Sequence, residues 1–136
     1  MKELFLEVVT PSKTAYSGDI KSVTVPGSLG NFQVLYNHAP IMSSMEIGVV
    51  KIVDDEGKIL EFSTSGGTIE VLNNKVLLLA ESFESPDEID ARRAEEAEQR
   101  ARERLTKKSQ SDIDTDRAEL ALHRSLNRLK LKKKYL

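Results

Sequence analysis

Ser85-Pro86-Asp87-Glu88 divides the chain into two kinds of sequence. It offers a serine that can cap a helix, a proline suited to the first helical position and a glutamate three residues after the cap. From there to about Lys108 there is neither Gly nor further Pro, so the spacing predicts a helix over that stretch. A polar turn is expected at Ser109–Ser111, and a second helix from about Asp112. Asp114 and Asp116 in its first turn, and Lys130, Lys132, Lys133 and Lys134 at its far end, complement the helix dipole.

The faces of these helices carry more information than their lengths. At about 100° per residue, Ala118, Leu122, Leu126 and Leu129 form an apolar stripe, with Arg117, Arg124 and Arg128 clustered away from it. In the first helix the apolar seam is Ala94, Ala97 and Ala101, ending in Leu105, bordered by Asp90, Arg93, Arg100 and Arg104. Alanine permits close approach but buries little area, and at about 25 cal/mol per Å² such a hairpin is weakly held. The charges also suit i,i+4 pairs: Glu88/Arg92, Glu96/Arg100 and Glu98/Arg102. Two readings of the arginines stand side by side. One is a solvated face stitched by such pairs; the other is a surface for a phosphate ligand or an acidic protein.

Upstream of Ser85 the pattern is β. Leu4–Val9, Val23–Val25, Phe32–Leu35, Ile47–Val53, Ile59–Ser63, Thr68–Leu72 and Lys75–Glu81 read as strands. Asp54-Asp55-Glu56-Gly57 and Asn73-Asn74 read as hairpin turns. Val76-Leu77-Leu78-Leu79-Ala80 is an unbroken apolar run and suits a strand buried on both faces. The fold class is therefore α+β: an antiparallel β-sandwich over residues 1–84, then a helical hairpin over 85–136.

Charge is divided along the same line. Residues 1–86 hold 6 Lys and Arg against 11 Asp and Glu, while residues 87–136 hold 14 against 11. There is no cysteine among the 136 residues, which excludes disulfides and thiolate metal sites. No signal-like segment opens the sequence, and no apolar run nears the roughly 18 residues needed to span a bilayer. His38 and His123 are the only histidines, and neither has the company that a catalytic or metal site requires. Gly27…Gly30 and Gly66-Gly67 lack the Gly-Lys-Ser/Thr of a phosphate loop. No enzyme activity is expected of the chain by itself.

Four segments stand in order along the chain: Gly30-Asn31-Phe32-Gln33-Val34-Leu35-Tyr36-Asn37-His38-Ala39-Pro40, Ser65-Gly66-Gly67-Thr68-Ile69-Glu70-Val71, Asp112-Ile113-Asp114 with Arg117-Ala118-Glu119-Leu120-Ala121-Leu122, and Asn127-Arg128-Leu129. Together they resemble the epsilon-subunit family of F-type ATP synthases. The resemblance covers the whole chain. It implies a β-sandwich of about ten strands that binds the gamma subunit and the rotor ring of c subunits, with Asn31 and His38 in ring contact. It implies helices that extend to meet the alpha and beta subunits and block ATP hydrolysis, and that permit hydrolysis when folded. The implied location is the cytoplasmic face of the bacterial inner membrane, reached only through the complex.

Ile89-Asp90-Ala91-Arg92-Arg93-Ala94 also matches the Ile/Leu-Asp-x-x-Arg-Ala motif of family members that resemble ATP sensors. Glu84, Arg100, Arg124 and Arg128 match the residues that accompany it. The resemblance thus implies a regulatory ATP, not a required cofactor, bound by Glu84, Ile89, Asp90, Arg93, Ala94, Arg100, Arg124 and Arg128. The competing reading is a free-standing nucleotide- or nucleic-acid-binding module that uses the basic hairpin. The acidic total charge and the few aromatics weigh against nucleic acid.

Overall fold

Alternation of apolar and polar residues builds the first half of the molecule. The computed structural model describes residues 3–107 and 112–136, with side chains in the second segment from Thr115 onward. These form two units, Met1–Ser85 and Pro86–Leu136. Among the described residues the first unit has nine strands, against the ten or so implied by resemblance. They are β1 (Leu4–Val9), β2 (Thr14–Gly27), β3 (Gly30–Val34), β4 (Ile41–Met45), β5 (Gly48–Asp54), β6 (Ile59–Thr64), β7 (Gly67–Leu72), β8 (Lys75–Ala80) and β9 (Phe83–Glu84).

The hydrogen-bonded order is β4-β7-β8-β1-β2-β5-β6-β9, with β3 paired to β2. Strand β2 pairs with β1 through Leu4↔Ile20, with β3 through Val23↔Val34 and with β5 through Val23↔Ile52. The inward residues of all these strands meet in one core, including Leu6, Val8, Val23, Val25, Ile52, Ile69 and Leu78. At one corner Glu46 N–H donates to Pro26 O at 2.7 Å. Gly48 sits so close there that an added Cβ would lie 2.7 Å from Pro26 Cβ.

Two features depart from the sequence reading. The sandwich is not wholly antiparallel: β1 runs parallel to β8, with Leu6↔Val76 and Val8↔Leu78. The two strands lie far apart in the chain, so the long connection that a parallel pair needs is available. Nor is Val76–Ala80 buried on both faces. Val76, Leu78 and Ala80 point inward, while Leu77 is half-buried and Leu79 is 49 % exposed. The outward face of β8 is apolar without being core.

Turn chemistry agrees with the reading. Asp54 Oδ1 accepts the N–H groups of Glu56 and Lys58, and Gly57 takes the positive φ of 85°. Asn73 and Asn74 both adopt left-handed backbone, as a two-residue hairpin of this type demands.

The second unit contains α1 (Ala91–Thr106) and α2 (Asp112–Lys134). The expected polar turn at Ser109–Ser111 and the Asp114 side chain lie outside the described residues. Helix α1 does not begin at Pro86. Residues 86–88 form a turn closed by Ile89 N–H to Pro86 O at 3.3 Å. Asp90 is the N-cap, its Oδ1 accepting Arg93 N–H at 3.1 Å. Two capping signals stand five residues apart, and the aspartate nearer the alanine seam prevails.

Ala94 and Ala101 of α1, and Ala118 and Ser125 of α2, are buried. Each pair is spaced seven residues apart, two helical turns, so the seam runs straight. Leu126 is not on it; at 40 % exposure it faces out, because the helices approach on the small side chains beside it. Lys132 Nζ donates to Pro86 O at 2.8 Å. The end of α2 therefore lies beside the approach to α1, and the helices run antiparallel.

One-sided burial of β8 has a direct test. Leu78→Ala should cost about 2–5 kcal/mol in urea unfolding. Leu79→Ala should stay within about 0.5 kcal/mol, like other surface changes. Equal losses would restore the two-faced strand.

Candidate functional site

The hairpin sorts its charges by side. Measured from Ala94 at about 100° per residue, Arg93, Arg100 and Arg104 occupy one flank of α1, and Glu95, Glu98 and Arg102 the other. Measured from Ala118, Arg117, Arg124 and Arg128 occupy one flank of α2, and Leu126, Lys130 and Lys133 the other. An open groove lined by Glu95, Glu98, Leu126, Leu129, Lys130 and Lys133 shows which flanks adjoin. Glutamates of α1 meet lysines of α2 on one side. The arginine flanks of both helices therefore share the opposite side.

Two i,i+4 ion pairs run along α1. Arg102 Nε lies 3.6 Å from Glu98 Oε1, as the spacing predicts. Arg92 Nε lies 3.4 Å from Glu96 Oε1. The predicted Glu96/Arg100 pair is thus replaced by Arg92–Glu96, and Arg100 stays exposed. Arg93 and Arg124 are exposed as well, and Arg128 is half-buried. Guanidinium groups drawn to one side from two helices are suited to hydrogen-bond a polyanion.

The other motif residues take distinct places. Ala94 is fully buried in the seam and serves by being small. Ile89 is 2 % exposed, at the end of the turn over residues 86–88. Asp90 is exposed, with one carboxylate oxygen engaged in capping. Glu84 belongs to the strand unit, on β9 opposite Ser63. The structure thus brings Arg93, Arg100, Arg124 and Arg128 to one side of a single unit, with Asp90 at its margin.

Asn31 and His38 are not neighbours. Asn31 opens β3, opposite Pro26, whereas His38 follows the far end of that strand. His38 is held by Nδ1 against Ala39 O at 2.7 Å and by its N–H to Leu35 O at 3.1 Å. The adjoining Asn37 clasps the β7–β8 turn: its N–H donates to Asn74 Oδ1 at 2.6 Å, and Asn74 Nδ2 donates to Asn37 Oδ1 at 3.2 Å.

A second surface emerges from strand register. Across β4, β7, β8 and β1, outward residues fall in rows: Ser44, Thr68, Leu79 and Val9; then Met42, Glu70, Leu77 and Glu7; then Leu72, Lys75 and Phe5. Met42 is 76 % exposed, and Leu72 and Leu79 are each 49 % exposed. This face therefore mixes exposed apolar side chains with Glu7, Glu70 and Lys75, a composition suited to docking another surface. The alternation within β8 is the signal for it, hidden in sequence by five consecutive apolar residues.

Both halves match known families. Residues 3–86 match the ATP synthase delta/epsilon chain β-sandwich domain, and residues 87–133 match the long α-helix domain of the same chain. That defines the class: a two-part delta/epsilon-type ATP synthase subunit. The ATP synthase epsilon chain of Desulforamulus reducens is 42 % identical over 125 residues, 92 % of this chain and 93 % of its own. That of Pelotomaculum thermopropionicum is 49 % identical over 104 residues, 76 % of this chain and 77 % of its own. A chain in the Euglena gracilis mitochondrial ATP synthase (OSCP/F1/c-ring) shares the fold at a TM-score of 0.78 and 19 % identity, covering 90 % of this chain and 77 % of its own. The chain belongs to the ATP synthase epsilon family. Among the described residues no helix is long and apolar enough to cross a membrane.

The Asp90 cap yields a local expectation. Asp90→Ala should destabilise the start of α1 by about 1 kcal/mol, and Asp90→Ser should restore most of it. Hydrogen exchange at the Arg93 amide reports both; an unchanged rate in the alanine variant would remove the cap.

Proposed function

We propose that the chain acts as a non-catalytic part of the central stalk. Its strand unit binds the gamma subunit through the outward face of β4, β7, β8 and β1. The end carrying Asn31 meets the rotor ring, and rotation is thereby coupled to ATP synthesis. Family membership supports the stalk role, and the exposed Met42, Leu72 and Leu79 support the docking face. The half-buried His38, fixed beside the Asn37–Asn74 clasp at the other end of β3, belongs to the gamma side of this arrangement. The complex lies on the cytoplasmic face of the membrane.

The helical unit is a brake on ATP hydrolysis, set by ATP. Extended, it meets the alpha and beta subunits; folded, it holds ATP and releases the brake. One observation carries the nucleotide reading: Arg93, Arg100, Arg124 and Arg128, from two helices, share one side of the hairpin. That side can take a triphosphate by charge-assisted hydrogen bonds, with Asp90 at its edge to accept from base or ribose.

ATP titration of the purified chain tests this. A ligand bound only by the folded form stabilises by about 2.7 kcal/mol at a hundredfold excess over Kd. We expect a raised thermal midpoint for wild type and little change for Arg93→Ala or Arg124→Ala. No shift up to millimolar ATP in the wild type would end the sensing reading and leave family membership intact.

The docking face is tested separately. Met42→Glu with Leu79→Glu should abolish copurification with gamma while leaving the unfolding midpoint of the free chain nearly unchanged. Retained binding would move the interface elsewhere on the sandwich.

A further inference from the structure

We propose that Lys132 is a positioning residue: it latches the end of α2 onto the Pro86 carbonyl and so sets the aim of the arginines on the nucleotide side. The inference rests on the ATP-binding reading of that side.

Pro86 O is a node. It accepts Ile89 N–H at 3.3 Å, closing the turn before α1, and Lys132 Nζ at 2.8 Å, across 46 residues of chain. Ile89 and Leu131, each next to this node in sequence or structure, are both 2 % exposed. The other fully buried positions of the hairpin seam are Ala94, Ala101, Ala118 and Ser125, with Leu105, Leu122 and Leu129 half-buried. Side chains as small as the buried four interlock poorly, so that part of the seam does little to stop one helix from sliding or turning on the other. The latch adds a fixed point at one end of it.

Helical spacing turns that point into aim. Arg124, Arg128 and Lys132 stand at i, i+4 and i+8, each step moving about 40° toward the seam. A helix is stiff over two turns, so fixing Lys132 fixes the rotation at Arg128 and Arg124. Asp90 lies directly after Ile89, whose amide is bound to the same carbonyl. Lys132 thus joins the part of the site on α2 to the part at the start of α1. Loss of the latch lowers the fraction of hairpins with both parts in register, and apparent affinity falls with that fraction.

The test uses the full chain with Lys132→Met, Lys132→Arg and, as a charge control on the opposite flank, Lys130→Met. Hydrogen exchange at Ile89 is measured without nucleotide, and ATP affinity by titration. Lys132→Met should raise the exchange rate about 5- to 10-fold and weaken ATP binding by a similar factor. Lys132→Arg should recover both, and Lys130→Met should alter neither. Unchanged exchange at Ile89 in Lys132→Met would overturn the latch. Faster exchange with unaltered ATP affinity would overturn the positioning role and leave only a structural contact. If the wild type binds no ATP, the positioning role falls with the sensing reading, and the exchange rates alone decide whether the latch exists.

Discussion

Strand β2 is the constraint on which the sandwich depends. Its 14 residues hydrogen-bond to β1 over the first part, and to β3 and β5 over the second. Among the described residues no other strand joins the β1 side of the sheet to the β5 side in the hydrogen-bonded order. The pairing at Ile20 therefore sets how the two halves of the core face each other. β5 and β6 follow from one side of β2; β8, β7 and β4 follow from the other. The outward rows on the β4–β1 half exist because this register holds Leu78 in and Leu79 out.

The helical unit is governed by a different economy. Its fully buried positions are mostly small, Ala94, Ala101, Ala118 and Ser125, and Ser125 Oγ returns its hydrogen bond to Ala121 O inside the same helix. Contact at those positions depends on close approach of the two helices. The same pairing sets the arginine flanks of α1 and α2 on one side of the hairpin. The same arrangement accounts for the motif's alanine: a larger side chain at Ala94 would hold the helices apart.

The class of fold was legible in the alternation of Leu4, Leu6 and Val8 and in the turn residues Asp54 and Asn73-Asn74. β4 was not, because Ile41-Met42-Ser43-Ser44-Met45 has weak strand chemistry and is ordered by its register on β7. The first half of β2 is polar, with Gly18 and Asp19, and owes its conformation to β1. β9 is two residues long and is fixed by Phe83 stacking on Phe62 at 4.4 Å. Arg93, Arg100, Arg124 and Arg128 could be found by motif and wheel, but which flanks adjoin depends on how the helices pair. The start of α1 was misplaced because two caps compete locally, and only tertiary context chooses between Ser85 and Asp90. The lysine latch had no local signal, since its acceptor is a backbone carbonyl 46 residues away.

The alanine seam also bears on temperature. Heat-capacity change follows the apolar area uncovered, at about 0.45 cal/K/mol per Å². The fully buried side chains of the seam are mostly small, Ala94, Ala101, Ala118 and Ser125, with Leu131 the larger one near its end, so parting the helices uncovers less apolar area than a seam of leucines would. The enthalpy of parting then varies less with temperature. A leucine-lined hairpin would instead show a curved dependence, with greatest stability at one temperature. A seam built largely from methyl groups thus holds its helices together with a flatter response to warming.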